Sequence, residues 1–237
     1  MHTVPKELRI FRTACCPNVI VHTLAGYAYL TIHAPSWKLT TIPHGTYLRA
    51  QTSVDPSRSV ILCPGFVSPS KGHVEIIHAF AKAISISRNQ LRTKLRIVGL
   101  CRDDNYRQRL MSTIAQLDIE EDIEFVEGFV DSVTMHRHYQ EAQFVILGND
   151  KGSPYSASGQ LHTAAGYGLP ILAKRVPIYD EPCAIKYDNK HELANLILAF
   201  DHTAVRDQAS LASHIFASQR SWKHVADHHL RVYSGLS

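Results

Sequence analysis

Two loops concentrate the residues that could do chemistry. The first is Pro64-Gly65-Phe66-Val67-Ser68-Pro69-Ser70-Lys71-Gly72-His73, directly after the apolar run Val60-Ile61-Leu62-Cys63. It reads as a glycine-, serine- and proline-rich turn that opens a helix with a lysine at its start. A helix N-terminus carries unpaired N–H groups and a partial positive charge. Lysine there is electrostatically unfavourable unless an anion balances it, and a phosphate does so. Taken alone, the segment reads equally well as a surface lysine in a loop. The spacings G-x-x-x-x-G-K-[ST] and G-x-G-x-x-G are both absent.

The second loop runs from Gly148 through Asn149, Asp150, Lys151, Gly152, Ser153, Pro154, Tyr155, Ser156, Ala157, Ser158 and Gly159 to Gln160, after the run Phe144-Val145-Ile146-Leu147. Its side chains are almost all small or polar, which lets a ligand approach the backbone. Ser158, Gly159 and Gln160 offer amides and a hydroxyl to a diphosphate. A flexible connection is the plainer alternative. The helix-opening position after an apolar run recurs in both loops, which favours binding. The segment Gly166-Tyr167-Gly168-Leu169-Pro170 is structural by itself: Gly168 caps a helix and Pro170 prevents its continuation.

The 15 histidines read first as packed or solvated side chains. His224, His228 and His229 fall at helical spacing, but no cysteine or carboxylate completes a metal set beside them. His136 and His138 point to different faces of their helix. There is no Gly-x-Ser-x-Gly elbow and no cysteine with an evident histidine partner, so hydrolase triads lack support.

The elements that must position these loops alternate along the chain. Expected strands are Asn18–His22, Lys38–Ile42, Ser59–Cys63, Lys94–Val98, Asp122–Val126, Gln143–Leu147 and Pro170–Ala173. Expected helices are Lys71–Ser87, Tyr106–Leu117, Ser132–Ala142 and Gly159–Tyr167, with a final one over Val205–Tyr233. This order predicts an α/β fold, a doubly wound, Rossmann-like parallel sheet with both loops at the carboxyl ends of strands, where open sheets bind ligands. Residues Thr46–Arg58 are polar and aperiodic and read as a linker. The expected organisation is therefore 1–45 as a remnant or end of another domain, 46–58 as linker, 59–204 as the ligand-binding domain and 205–237 as a closing helix.

Composition narrows the classes. With 237 residues, 45% hydrophobic and 19% charged, the chain is globular rather than disordered or fibrous. No apolar run reaches the ~20 residues that cross a bilayer, and the first residues lack a signal-peptide core. Five cysteines without a framework point to a reducing, cytoplasmic setting. The net charge of +4 is scattered. That pattern suits an anionic ligand or peripheral contact with the inner membrane surface, and it is too diffuse for nucleic acid.

In their order, these segments resemble the donor-binding, C-terminal half of retaining glycosyltransferases with the GT-B fold, family 4, also called group 1. Ile42-Pro43-His44-Gly45 looks like the interdomain motif of that family. Gly65 to Gly72 with Ile76-Ile77-His78-Ala79-Phe80 is similar to its glycine-lysine loop and first helix. Leu95-Arg96-Ile97-Val98-Gly99 and Ile123 to Val130 match the next two strand ends. Ala164-Ala165-Gly166-Tyr167-Gly168-Leu169-Pro170-Ile171-Leu172-Ala173 matches the helix-to-strand signature. Ser221-Trp222-Lys223-His224-Val225-Ala226 looks like the closing helix.

The resemblance implies transfer of a sugar from a nucleotide diphosphate sugar with retention, no metal, and no cofactor beyond that donor substrate. Lys71 would be the catalytic cation on the distal phosphate, flanked by Gly65 and Gly72. Ser158, Gly159 and Gln160 would cradle the diphosphate, and Gly99, Gly128, Phe129 and Val130 would border the nucleobase. Phe66 stands where the family has arginine, and Tyr155 and Thr163 stand where it has paired glutamates. Ser156-Ala157-Ser158-Gly159 resembles a serine-glycine variant. The competing expectation is an inactive nucleotide-binding or interaction module, or one half of a split glycosyltransferase. Such a half would need a partner chain for the N-terminal part, or a homo-oligomer.

Overall fold

The computed structural model describes residues 18–49, 59–150 and 156–235. Its centre is a six-stranded sheet of β3 (Val60–Pro64), β4 (Lys94–Gly99), β5 (Ile123–Glu127), β6 (Ala142–Leu147), β7 (Ile171–Lys174) and β8 (Ala184–Tyr187), in the order β5-β4-β3-β6-β7-β8. Every pairing is parallel. Counted from β3, this is the 3-2-1-4-5-6 order of a dinucleotide-binding sheet, with its direction of growth reversing between β3 and β6. Ahead of it, β1 (Asn18–Val21), helix α1 (Leu24–His33) and β2 (Lys38–Thr41) form a parallel two-stranded unit.

A sheet covered on both faces needs strands apolar on both sides. All five residues of β3 are buried. Ile61, Ile97, Phe144 and Ile146 face one core with Ile76, Ile77 and Phe80 of α2 (His73–Ile86), Tyr106, Leu110 and Ile114 of α3 (Asp104–Gln116), and Leu193 and Ile197 of α6 (Lys190–Ala199). Leu62, Val98, Val145 and Leu147 face the other. There they meet Tyr139 of α4 (Ser132–Glu141), Leu161, Ala164 and Ala165 of α5 (Gly159–Gly166), and Phe216 and Ala217 of α7 (Thr203–Gln219).

Two expected helices are corrected in detail, and two elements are added. The helix expected from Lys71 begins as a 3-10 turn, Pro69–Lys71, and restarts as α2 only after Gly72, because Gly72 sits in the left-handed region at φ 65°. The final helix is two: α7 ends at Gln219 and α8 spans Trp222–Tyr233, with Ser221 between them capping α8 through the His224 amide. Strand β8 and helix α6 carry no strong periodic signal and were not expected; β8 has Lys186 in its four residues. Residues 46–49 of the expected linker are anchored by backbone bonds: the Thr46 amide donates to Arg220 O at 2.8 Å and the Arg49 amide to Gly166 O at 2.9 Å. Residues 50–58 lie outside the described residues.

Two glycines are required by close backbone approach. A Cβ on Gly72 would stand 2.1 Å from Gly148 O, and one on Gly99, at φ 152°, would stand 1.9 Å from Gly65 O. Neither neighbour is a side-chain end that can swing away. Gly99→Ala is therefore expected to cost about 1–3 kcal/mol or more in a urea melt. Gly159→Ala, whose Cβ would meet nothing within 4 Å, should leave the midpoint within error or raise it. Equal melting of the two variants would contradict this packing.

Candidate functional site

The loops singled out in the sequence meet where β3 and β6 end side by side. Leaving β3, Gly65 donates its amide to Val98 O at 2.9 Å and Val67 to Leu100 O at 3.0 Å. Gly128, at the end of β5, donates to Gly99 O at 3.2 Å. Leaving β6, the Asp150 amide donates to Ser70 O at 2.9 Å, tying the second loop to the first. The Gln160 side-chain amide then reaches from α5 and donates to Pro64 O at 2.6 Å. It passes so close to Gly65 that a Cβ there would collide with it.

Gly65, Lys71, Gly72, Gly99, Ser158, Gly159 and Gln160 thus share one end of the sheet. Phe129 follows β5, two strands from β3 in the sheet order, and is 87% exposed. Val130 is half-buried against the second core. Thr163 lies one turn into α5, exposed, with its hydroxyl donating to Gly159 O at 2.8 Å. Tyr155 lies outside the described residues.

The electrostatics favour an anion. Lys71 is half-buried, and burial lowers its pKa. Among the described residues no acid pairs with it. His73, two residues on, is 3% exposed. Burial lowers its pKa to about 4, so it adds no second charge at neutral pH. At α5, buried Ser158 caps the helix by accepting from the Leu161 amide at 3.3 Å. The first amides of a helix have no carbonyl behind them, and at Gly159 the approach is open because a Cβ there would meet nothing within 4 Å. A half-desolvated ammonium and an open helix N-terminus can hold phosphate oxygens. Among the described residues no three His, Cys, Asp or Glu side chains gather as a metal set.

Composition and spacing missed a second group. A cavity of about 230 Å³ is lined by His44, Tyr47, Arg49, Gly159, His162, Thr163, Tyr167 and Trp222, among others. The His44 and His162 rings lie 4.4 Å apart, and the Trp222 ring is 5.4 Å from His44. His162 Nδ1 is 3.2 Å from Thr46 Oγ1. Burial lowers the pKa of His162 to about 3 and also lowers that of His44. A neighbouring cavity of about 430 Å³ is lined by His22, Thr23, Asp180, Glu181 and Arg220 among others. Burial raises the Glu181 pKa, while Arg220, 2.9 Å away, opposes that rise. The available signal was His44 within the interdomain motif; His162 looked like any helical histidine.

No protein-family model and no curated protein sequence matches the chain. Solved structures do match it. HepE of Anabaena, solved with UDP and glucose, superposes with a TM-score of 0.78 at 18% identity, over 99% of this chain and 68% of that one. A glycosyltransferase from Rickettsia africae ESF-5 gives 0.76 at 14% identity, over 100% of this chain and 68% of that one. The C-terminal domain of LpcC, a glycosyl transferase group 1 family protein of Francisella tularensis, gives 0.60 at 15% identity, over 73% of this chain and 94% of that one. The fold is the Rossmann-like C-terminal half of a GT-B protein. At these identities the likeness is one of architecture. Within the GT-B frame, β3 to β8 form the C-terminal sheet.

The histidines give a measurable pH dependence. His162 stays neutral in the fold well below the pH near 6.5 at which it takes up a proton in the unfolded chain, and burial shifts His44 in the same direction. The unfolded state then binds more protons, so stability is retained above pH 6.5 and is lost as pH falls toward 3. For His162 alone the loss between pH 7.5 and 4.5 is about 2–3 kcal/mol. Urea midpoints should show the unaltered chain losing more stability over that interval than His162→Gln. An identical loss in both would place the acid sensitivity elsewhere.

Proposed function

We propose that this chain is the donor-binding part of a retaining glycosyltransferase of family 4 (group 1), taking a nucleotide diphosphate sugar. The observation that carries the reading is the placement of half-buried Lys71, without an acid partner among the described residues, and of the N-terminus of α5 at the same end of the sheet, beside its switch point. When the bond between the sugar's anomeric carbon and the diphosphate breaks, the electron pair stays on the departing phosphate oxygen. Lys71 and the Gly159 and Gln160 amides offset that charge by electrostatics, without a metal. Ser158, Gly65 and Gly72 shape the cradle, and Gly99, Gly128, Phe129 and Val130 border the base. HepE, whose structure holds UDP and glucose, and the pneumococcal O-GlcNAc transferase GtfA, whose structure holds UDP and GlcNAc, support this class of ligand. In this reading residues 59–204 are the donor domain, 1–45 and 46–58 lead into it, and 205–237 close it. The work takes place in the cytoplasm, at or near the inner membrane surface. No helix among the described residues is long and apolar enough to cross a membrane.

A second reading has its own support. The described part ahead of β3 is a two-stranded unit, and the chain spans 68% of HepE and 45% of GtfA. An acceptor site carried by a partner chain or a second copy would make this one half of a split enzyme. Without a partner, it would be a nucleotide-binding module.

Calorimetric titration with UDP, GDP and ADP tests the donor site. At least one should bind, and Lys71→Ala should weaken that binding at least tenfold, about 1.4 kcal/mol, with Lys71→Arg retaining most of it. Absence of binding to all three, or unchanged binding by Lys71→Ala, would overturn the assignment. The isolated chain should show no sugar transfer; robust turnover without a partner would rule out the split-enzyme reading.

A further inference from the structure

Lys71 supplies one positive charge to the crevice, and a diphosphate carries more than one negative charge. A second cation stands on the same end of the sheet. The Arg102 guanidinium carbon lies 5.8 Å from the centre of the Phe66 ring. Phe66 leaves β3 and is 58% exposed. Arg102 leaves β4 and is exposed.

The backbone beneath them is fixed. Gly65 and Val67 donate to Val98 O and Leu100 O, and Val67 forms an isolated parallel bridge with Cys101. The Cys101 thiol donates to Asp103 O at 3.4 Å. Phe66 and Arg102 therefore project from two strand ends held in register, immediately beside Gly65, where Gln160 of α5 crosses to β3.

The acids nearest Arg102 in sequence are committed elsewhere. Asp103 caps α3 by accepting from the Tyr106 amide at 3.0 Å, and Asp104 pairs with Arg107 at 2.8 Å. Arg107 also pairs with Glu127, at the end of β5. Among the described residues no carboxylate neutralises Arg102. A guanidinium laid on an aromatic face keeps its N–H edge free for an oxyanion and has lost part of its rotamer freedom beforehand.

We propose that Arg102, positioned by the Phe66 ring, is a second phosphate-binding cation of the donor site, acting on the nucleotide's diphosphate from the β3–β4 side while Lys71 and α5 act from the β3–β6 side. This rests on the donor-site reading. It makes Phe66 a positioning residue, with its ring as the support for the cation. The ligand class is a nucleoside diphosphate or its sugar ester. A nucleoside without phosphates gains nothing from Arg102.

Titration of the whole chain with UDP, GDP and ADP, and with the matching nucleoside, separates the possibilities. For the diphosphate that binds, Arg102→Ala should lower affinity five- to thirtyfold and flatten the dependence of log affinity on log salt. Any affinity for the nucleoside should stay within twofold. Phe66→Ala should lower diphosphate affinity by a smaller factor, about threefold. The double variant Phe66→Arg with Arg102→Ala should recover part of the loss, because it returns a guanidinium to the same rim. Melting temperatures of the Arg102 variant should match those of the unaltered chain, since the side chain is exposed. If the chain binds a diphosphate and Arg102→Ala leaves that binding within twofold, Arg102 has no such role while the donor site stands. If the unaltered chain binds no diphosphate at all, the donor-site reading falls and this inference falls with it.

Discussion

Everything at the carboxyl edge of the sheet depends on how closely backbone can approach backbone there. Gly72 lies against Gly148 and Gly99 against Gly65, each at a distance that any Cβ would forbid. The first contact joins the loop after β3 to the loop after β6, and the second joins β4 to β3. Together they hold the loops at the switch point backbone against backbone. Charge follows from this geometry. With its loop pinned, Lys71 is left half-buried at the edge, with no acid partner among the described residues, and α5 begins at the same end of the sheet behind the Ser158 cap. Parallel strands meeting at a reversal of strand order bring their loops together at the edge where open sheets bind ligands.

Much of this was legible in the residues. Runs such as Val60–Cys63 and Phe144–Leu147 are apolar on consecutive residues, the pattern of strands buried on both faces, and they fixed the parallel sheet. The glycine and serine positions in the two loops marked segments that the structure brings to the carboxyl edge of the sheet. Less legible were features decided by contacts distant in sequence. Gly72 looked like a residue inside a helix, yet its left-handed backbone splits a 3-10 turn from α2. Ser221 looked like the middle of a long helix, but the packing of Thr46 against Arg220 and Trp222 breaks α7 from α8 there. Strand β8 escaped notice because a four-residue edge strand with a lysine has almost no periodicity to read.

The histidines show the same limit from the functional side. Nothing in the spacing of His22, His44 and His162 relates them, since they come from the end of β1, the segment after β2 and the middle of α5. Folding brings the His44 and His162 rings to 4.4 Å and sets His22 at 6.4 Å from His44. Glu181 and Arg220 pair nearby, with Glu181 facing His162 Nε2 at 3.9 Å. The His44–His162 pair, with the Thr46 and Arg49 backbone bonds, ties residues 44–49 to α5 and α8. The crevice and the segment that leads into the sheet are thereby mechanically joined through a single helix, whose N-terminus is the proposed phosphate site.

The central claim is that this helix N-terminus and Lys71 together hold a diphosphate. Residue-resolved NMR of the isotope-labelled chain, titrated with UDP, GDP or ADP, tests it most directly. The account predicts that the largest amide shifts fall on Gly72, Gly159 and Gln160, with Gly65 and Gly99 following. Shifts confined to the His44–Arg49 segment and Trp222, or no saturable shift with any of the three nucleotides, would contradict it.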